Sequence, residues 1–531
     1  MSMRILISDK MSEEGLAHFE GHDGFKVVNK AGIEMDELAE ILGEFEALVV
    51  RSRTKVTRQM LEKPGKLRII GRAGAGVDNI DLEAATEKGI IVMNTPGGNT
   101  ISTAEHAISM MLSLARRIPY ADRTMREGKW AKKNIVGTEM FGKTLGIVGL
   151  GKIGQVVAER MQAFGMGILA FDPFLTQEGA EKLGVKPASV EEMCAEADVI
   201  TIHAPKNSET TNLINAERLA SMKPGALLIN CARGGIVDEE ALAKALETGQ
   251  IAGAALDVFE TEPLPEDHKL RTLDNAVLTP HLAASTSEAQ EKVAEAIADQ
   301  IREALSGGII RNAVNAPTVD GKLFQQLKPV LELCERLGRF TAQFASPVVK
   351  SLKITYSGTK AQYPQQPLTT ALMKGFLDLN VSETVNEVNA LYLAKQLGIR
   401  ITESRTEDLE EEYAGLISVE TENEAGEIHK VSGTLDQNRK PRVVFIDGKH
   451  VDSVPEGDMM TIENRDQPGI IGAIGTQLGL HGVNIASMNW GRVAPGGDAL
   501  VLINLDQKVT DEVLKEIQAI DNVISAKRIQ M

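Results

Sequence analysis

The chain has 531 residues, which suggests three or four domains at roughly 100–200 residues each. The net charge of −17 disfavours a protein that binds nucleic acid or anionic membranes. The three cysteines lie far apart, so they favour neither a disulfide framework nor a metal cluster, and they fit a reducing cytoplasm. No stretch approaches the roughly 18 uncharged apolar residues of a membrane span. We therefore expect no metal, no nucleic-acid partner and no membrane partner.

Short β-rich runs alternate with helical spacing through the first hundred residues, as in "RILIS", "FKVVN", "ALVVRS" and "LRIIGRAGAG". This alternation predicts a parallel sheet covered by helices. Two helices are expected over residues 103–130, and a second α/β series runs from "KTLGIVGLGKIG" to "NAVLTPHLAAS". Two such series predict two lobes with a cleft between them. The amphipathic helix predicted over 285–307 would return the chain to the first lobe.

The remainder of the chain has a different character. Residues 317 to about 455 mix helices with strands such as "LKITYSG" and carry no motif that points to chemistry. From Gly457 the pattern is strand, helix, strand, strand, helix, strand, which predicts a ferredoxin-like βαββαβ unit. The expected fold class is therefore α/β with two Rossmann-like or flavodoxin-like lobes, followed by an α+β intervening domain and a ferredoxin-like C-terminal domain.

The stretch "GIVGLGKIG" places Gly149, Gly151 and Gly154 in G-x-G-x-x-G spacing between a strand and a helix. Such glycines make a tight turn, admit a pyrophosphate and allow close packing, while the helix N-terminus faces the phosphates. A plain glycine-rich turn is the alternative, but the strand, the helix and a following acid occur in the expected order. That acid, Asp172, can bind the adenosine ribose and would repel the 2′-phosphate of NADP. The expected cofactor is NAD.

Three polar residues lie where strands of the second lobe end, the edge at which open α/β sheets bind ligands: Arg233 after "ALLIN", Glu262 in "DVFETEP" and His281 in "LTPHLAAS". For hydride transfer from a 2-hydroxy acid, His281 can act as the base and Arg233 can hold the carboxylate. Glu262 can fix the imidazole tautomer and stabilise its protonated form. Each residue alone also fits a structural role, but their joint occurrence with the cofactor loop favours catalysis.

These motifs resemble the D-isomer-specific 2-hydroxyacid dehydrogenase family over residues 1 to about 310. The resemblance rests on "GRAGAGVDNID", "GLGKIG", "NCARGG", "ALDVFETEP" and "TPHLAAST". It implies catalysis by Arg233, Glu262 and His281. It also implies the branch that oxidises 3-phospho-D-glycerate to 3-phosphohydroxypyruvate, the first step of L-serine biosynthesis. A glyoxylate or hydroxypyruvate reductase is the near alternative, and a non-enzymatic NAD-sensing regulator is a more distant one.

The same resemblance implies contacts to cofactor and substrate. Arg51 and Arg53, in "VVRSRTKV", would hold the anionic end of the substrate, because guanidinium groups suit phosphate; surface charges are the alternative. The implied substrate contacts are Arg51, Ser52, Arg53, Gly74, Ala75, Gly76 and Asn99. The implied NAD contacts are Gly149, Gly151, Lys152, Ile153, Gly154, Asp172, His203, Ala204, Cys231, Ala232, Arg233, Asp257, His281, Ala283 and Ala284.

Three further residues have less specific interpretations. His106, inside a long apolar helix, is interpreted as a packing residue. Lys132 and Lys133 could reach the active site of a partner chain or simply form a solvated charge run.

The segment "NRDQPGIIGAIGTQLGLHGVNIASM" resembles an ACT domain, a small amino-acid-sensing module. The resemblance implies L-serine as an inhibitory effector that contacts Asn464, Asp466 and Asn484, with the site shared by two chains of a homodimer or homotetramer. A dimerisation module without a ligand is the alternative. The expected boundaries are residues 1–98 with 284–310 for substrate binding, 99–283 for NAD binding, 311–455 for the intervening domain and 456–531 for the ACT domain.

Overall fold

The first lobe is a parallel sheet with strand order β2-β1-β3-β4-β5. The computed structural model describes residues 2–20, 24–319, 321–345, 348–407 and 413–531. The strand "ALVV" is buried at every position, as expected where helices cover both faces of a parallel sheet. The elements are β1 (Met3–Ile7), α1 (Glu13–Ala17), β2 (Phe25–Asn29), α2 (Met35–Ile41), β3 (Ala47–Val50), β4 (Ile69–Arg72), α3 (Leu82–Glu87) and β5 (Ile91–Met93).

The second lobe is also a parallel sheet, with strand order β12-β11-β10-β9-β6-β7-β8. The chain leaves β6 in one direction for β7 and β8 and returns on the other side at β9, so a crevice opens between β6 and β9. The elements are α4 (Thr100–Ala115), α5 (Ile118–Arg126), β6 (Thr144–Val148), α6 (Lys152–Ala163), β7 (Gly167–Phe171), α7 (Gln177–Leu183), β8 (Lys186–Pro187), α8 (Val190–Glu196), β9 (Val199–Ile202), α9 (Ala216–Ser221), β10 (Leu227–Asn230), α10 (Glu239–Glu247), β11 (Gly253–Leu256) and β12 (Ala276–Leu278).

Helix α11 (Ser287–Leu305) returns the chain to the first lobe. Its apolar face, with Ile297 and Ile301, is buried against Ile5 and Ala47 of the first sheet. A methyl group on Gly71 would lie 2.5 Å from the Ile301 side chain, so the helix packs tightly on β4. The amphipathic pattern seen in the sequence is therefore explained by a face that covers the first sheet.

The third sheet has strand order β14-β13-β15-β16-β17-β18, in which only the β13–β14 pair is parallel. Helices α12 and α13 share a core with it that includes Phe340, Leu372 and Tyr356. Its elements are α12 (Gly321–Phe344), β13 (Val349–Ser357), α13 (Gln365–Leu377), α14 (Ala390–Gln396), β14 (Arg400–Thr406), β15 (Ile417–Asn423), β16 (Ile428–Leu435), β17 (Pro441–Ile446) and β18 (Lys449–Ser453).

The fourth sheet is antiparallel, with strand order β20-β21-β19-β22, and helices α15 and α16 share its core. Its elements are β19 (Asp458–Arg465), α15 (Ile470–Leu480), β20 (Ile485–Arg492), β21 (Asp498–Leu505), α16 (Asp511–Gln518) and β22 (Val523–Gln530). This is the predicted βαββαβ order, and the predicted fold class is confirmed. In the described parts of the chain, no helix combines the length and apolar character that crossing a membrane requires.

Candidate active site

The glycine loop after β6 lies at the crevice between β6 and β9. Gly149 has φ +92°, and a methyl group there would lie 2.8 Å from the Ala204 nitrogen after β9. A methyl group on Gly154 would lie 2.2 Å from the Gly149 carbonyl oxygen, whereas Gly151 faces open space. Helix α6 begins at Lys152, with Ile153 in its first turn. An open glycine before a helix N-terminus fits the pyrophosphate of a dinucleotide.

Asp172 stabilises this loop and lines a separate hollow of about 330 Å³. Its carboxylate accepts hydrogen bonds from the Leu150 N–H (2.8 Å) and the Phe174 N–H (2.9 Å). Among the described residues, no lysine or arginine lines the hollow, so it offers no cation to a 2′-phosphate. The lining residues are Ala170, Phe171, Asp172, Leu175, Pro187, Ala188, Ser189 and Glu192. The hollow fits the adenosine end of NAD.

Two predicted cofactor residues at the floor of the crevice are uncharged. Burial lowers the pKa of His203 to about 4, so the imidazole is neutral at physiological pH, with Thr201 Oγ1 3.1 Å from Nε2. Burial also raises the pKa of the Cys231 thiol, with a smaller contribution from Asp257. Ala204 and Ala232 follow these residues along the chain. The crevice floor therefore presents uncharged groups to a ligand.

Asp257, fully buried at the end of β11, holds the loop that carries His281. Its carboxylate accepts hydrogen bonds from the Thr279 hydroxyl (2.6 Å), the Leu282 N–H (2.8 Å) and the Ala283 N–H (2.8 Å). Burial acts to raise the pKa of Asp257, but contacts from His106, Thr279 and these N–H groups outweigh it and lower that pKa. The carboxylate is therefore charged, and it fixes the loop backbone.

His106 does more than pack, contrary to the interpretation from sequence. Its Nε2 lies 3.1 Å from Oδ1 of Asp257 and 3.3 Å from Oγ1 of Thr279. The residue thus connects helix α4 to the loop after β12. A polar contact of this kind cannot be seen in the apolar pattern of the helix.

Glu262 and His281 form a hydrogen-bonded pair. Glu262 Oε2 lies 2.8 Å from His281 Nδ1, and Glu262 Oε1 accepts the Phe259 N–H at 3.0 Å. Burial acts to raise the pKa of Glu262, but the hydrogen bonds from His281 and Phe259 hold it below its usual range. Since the carboxylate accepts the proton of Nδ1, the neutral imidazole leaves Nε2 free to accept a proton. This is the arrangement of an oriented general base.

Arg233, after β10, reaches across to the first lobe. Its Nε donates to the Asp78 carboxylate at 3.0 Å, and Nη1 donates to the Ala232 carbonyl at 2.7 Å. A methyl group on Gly76 would lie 2.1 Å from Arg233 Nη2, so the Arg233 guanidinium approaches the Gly76 backbone closely. Strands β10, β11 and β12 are neighbours in the sheet, so the loops that carry Arg233, Glu262 and His281 leave the same edge of it, although Arg233 is not among the described residues that line the cleft.

A cleft of about 850 Å³ lies between the lobes, with His281 and Glu262 on one wall and arginines on the other. Six further predicted site residues line it: Arg51, Ser52, Arg53, Gly74, Asn99 and Ala284. Arg53 donates to the carbonyls of Ile33 (3.0 Å) and Gly32 (3.2 Å). Ala75 accepts a hydrogen bond from the Asn94 side chain and, like Gly76, belongs to the loop behind Gly74.

Arg72, the last residue of β4, also lines the cleft, and the sequence analysis missed it. Its Nε is buried and has no hydrogen-bond partner among the described residues. Burial, and then repulsion by Arg233 and Arg51, lowers the pKa of Arg72 to about 10. Arg72 and Arg51 lie close enough to interact and line the same cleft, so they are suited to bind an anion. A charged residue at a strand end, the signal that identified Arg233, was also present here.

The predicted effector residues lie in the fourth sheet, and one chain does not bring them together. Asn464 is fully buried, and its Oδ1 has no partner in the described part of the chain. Asp466 accepts hydrogen bonds from Arg492 (2.6 Å) and the Gly496 N–H (3.2 Å). Asn484 is bonded to Asp506 at the other end of the sheet, about 20 Å away at roughly 3.3 Å per strand residue.

Three family models match the chain. "D-isomer specific 2-hydroxyacid dehydrogenase, NAD binding domain" covers residues 108–283, "D-3-phosphoglycerate dehydrogenase intervening domain" covers 326–447, and "ACT domain" covers 459–522. Together they account for the second lobe, most of the third sheet with its helices, and most of the fourth sheet.

Relatives of known name match along the full length. The chain is 45% identical to a D-3-phosphoglycerate dehydrogenase of Synechocystis sp., over 99% of this chain and 95% of that protein. It is 43% identical to one of Archaeoglobus fulgidus, over 100% of both. Among solved structures, NAD-dependent formate dehydrogenase from Staphylococcus aureus in complex with NAD aligns with TM-score 0.52 and 33% identity, over 57% of this chain and 96% of that one.

Replacement of Asp172 by alanine tests the cofactor assignment. Without the carboxylate, the ribose loses an acceptor and the repulsion of a 2′-phosphate disappears. We expect the Kd for NADH to rise about tenfold, consistent with one charged hydrogen bond, and the Kd for NADPH to change much less. Titration of cofactor fluorescence measures both values. An unchanged ratio between the two would remove Asp172 from the assignment.

Proposed function

The chain belongs to the D-isomer-specific 2-hydroxyacid dehydrogenase family, and from this premise we propose how its cleft performs the reaction of a D-3-phosphoglycerate dehydrogenase. The reaction is the NAD-dependent oxidation of 3-phospho-D-glycerate to 3-phosphohydroxypyruvate, the first step of L-serine biosynthesis. The observation that carries the proposal is the Glu262–His281 pair, which shares a cleft with Arg51 and Arg72.

His281 acts as the base. Its Nε2 takes the proton of the C2 hydroxyl while the C2–H bond breaks, and the C2–O bond becomes a carbonyl. The glycine loop with Gly149, Gly151 and Gly154 would hold NAD, which would supply the acceptor for the hydride that leaves C2. Glu262 holds Nδ1 and stabilises the imidazolium that forms. In the reverse direction the same imidazolium returns its proton to the carbonyl oxygen.

Different arginines bind the carboxylate and the phosphate of the substrate. Arg233, beside the loop that carries Gly76, binds the carboxylate next to C2 and polarises the reacting oxygen. Arg51, Arg53 and Arg72, on the first lobe, bind the phosphate at the other end. A phosphate is the ligand that best offsets the repulsion among Arg72, Arg51 and Arg233. A substrate with both groups would bridge the lobes.

Two observations favour this reaction over the alternatives. A glyoxylate or hydroxypyruvate reductase has no phosphate to bind, and the buried Nε of Arg72, which has no hydrogen-bond partner in the described chain, would then stay unsatisfied. A regulator that only senses NAD would not need the oriented pair of Glu262 and His281.

The three cysteines are all free and buried, which supports a reducing, cytoplasmic location.

The ACT domain indicates an amino-acid effector, and we propose that it is L-serine, bound between two chains. Asn464 offers a buried, unpaired carbonyl oxygen, which can accept a hydrogen bond from an ammonium or hydroxyl group. Asp466 supplies a carboxylate beside it. Because Asn484 lies at the far end of its own sheet, a site that includes it needs a second chain. The proposed assembly is therefore a homodimer or a homotetramer.

The substrate assignment is tested with Arg72→Met. The wild-type enzyme should reduce NAD with 3-phosphoglycerate, and the variant should raise the KM for 3-phosphoglycerate about 10–100-fold, which corresponds to one lost charged contact. D-Glycerate, which lacks the phosphate, is the control substrate, and its kcat/KM should change little. NADH absorbance at alkaline pH follows both reactions. An equal loss of kcat/KM with both substrates would contradict the assignment of Arg72 to the phosphate. Absence of turnover by the wild type with 3-phosphoglycerate would refute the function.

The effector assignment is tested with Asn464→Ala. Loss of the buried carbonyl oxygen should raise the inhibition constant for L-serine about tenfold or more, measured against the uninhibited rate of the same variant. Isothermal titration with L-serine checks that the change is in binding. Sedimentation in the same buffer reports the number of chains. Unchanged inhibition would exclude Asn464 from the site, and strong binding to a single chain would exclude a shared site.

A further inference from the structure

Glu239, the first residue of α10, is buried and points at the loop that carries Glu262. From sequence alone it is an acidic residue in the first turn of a helix. In the structure it is 8% exposed, its Oε1 accepts the Glu260 N–H at 2.5 Å, and its Oε2 lies 3.3 Å from His268 Nε2. The carboxylate therefore joins α10 to the loop after β11.

The helix does not require Glu239 for capping. Asp238 is the N-cap residue, and its carboxylate accepts the Ala241 N–H at 2.9 Å. Glu240, which follows Glu239, is exposed and supplies negative charge to the same first turn. Burial raises the pKa of Glu239, against the opposing effects of the Glu260 N–H and His268. A buried carboxylate that the helix does not need calls for another role.

The backbones of the loops after β10 and β11 are in close contact near Glu239. A methyl group on Gly234 would lie 1.8 Å from the Phe259 carbonyl oxygen and 2.6 Å from the Glu260 nitrogen. The loop after β10 thus presses its backbone directly against the loop after β11. Arg233 precedes Gly234, and Glu262 follows Phe259 by three residues. The contact joins the two loops that carry these catalytic side chains.

His268 completes the arrangement. Its Nδ1 accepts the Leu270 N–H at 3.4 Å, and its Nε2 faces Glu239 Oε2 at 3.3 Å. The ionisable groups that act on Glu239 are His268, Glu260 and Glu262. One carboxylate oxygen of Glu239 thus faces His268, and the other accepts the Glu260 N–H.

We propose that Glu239 is a positioning residue for the dehydrogenase reaction, assisted by His268. It ties the Glu260 backbone to α10, so that the Glu262 carboxylate stays on Nδ1 of His281 while Arg233 stays at the substrate carboxylate. The inference rests on the proposed function, because it assigns a role relative to those three catalytic side chains. A small displacement of a catalytic side chain can lower the reaction rate by a large factor.

The test compares Glu239→Ala, Glu239→Gln and the matched control Glu240→Ala, which removes an exposed carboxylate from the same helix turn. Glu239→Ala should lower kcat roughly 10–100-fold, with the KM for NAD nearly unchanged. Since a displaced Glu262 stabilises the imidazolium less, the acid limb of kcat/KM should also move to lower pH. Glu239→Gln keeps an oxygen for the Glu260 N–H and should restore most of kcat. Glu240→Ala should match the wild type.

Several results would overturn the proposal. Glu239→Ala with a lowered Tm but a wild-type kcat and acid limb would show a role in stability alone. A loss in Glu239→Gln as deep as in Glu239→Ala would show that the oxygen facing Glu260 is not what matters. If Glu239→Ala does not fold, Glu239→Gln and His268→Leu still test the proposal. His268→Leu should lower kcat by less than tenfold. A wild-type kcat in His268→Leu would contradict the role of His268.

Failure of the proposed function gives a different result. In that case the wild type would not oxidise 3-phosphoglycerate, whatever the variants do. The ¹⁵N shifts of the His281 ring, measured with labelled histidine, still report whether Glu239→Ala disturbs Nδ1. A changed Nδ1 shift supports the positioning role, and an unchanged shift contradicts it.

Discussion

The 2.8 Å hydrogen bond between Glu262 and His281 joins the loops after two neighbouring strands, β11 and β12. It orients one ring nitrogen toward a carboxylate and leaves the other for the substrate. Such a bond is useful only if both loops are fixed. Asp257 fixes the His281 loop through two backbone N–H groups, and Phe259 donates to Glu262 itself. The proposed catalytic pair thus depends on backbone hydrogen bonds to Asp257 and Glu262.

Electrostatics explains how an acidic protein binds an acidic substrate. The chain carries a net charge of −17, yet Arg233 and Arg51 both lie close enough to Arg72 to lower its pKa. Their mutual repulsion is a cost of the free protein that a bound phosphate and carboxylate would relieve. The focusing of positive charge in one cleft also attracts anions locally although the net charge of the protein is negative. The clustered arginines then account both for the binding of a phosphorylated acid and for the selectivity for it.

Most of the architecture was predictable from alternation of strands and helices and from the glycine loop, because both are local patterns. The positions of Arg233, Glu262 and His281 at one edge of the second sheet were predictable, because each follows a strand of a parallel sheet. Arg72 also ends a strand, β4, but its buried Nε and its place in the cleft depend on the packing of segments distant in sequence. The role of Glu239 depends on burial, and the separation of Asn464 from Asn484 depends on strand register. Neither property is visible in local sequence.

A crystal structure with NADH and 3-phosphohydroxypyruvate would test the central claim most directly. The proposed mechanism predicts His281 Nε2 within about 3 Å of the C2 oxygen, the carboxylate on Arg233 and the phosphate on Arg51 and Arg72. Nδ1 should remain on Glu262. A C2 oxygen beyond hydrogen-bond reach of His281, or a phosphate bound at Arg233, would contradict it.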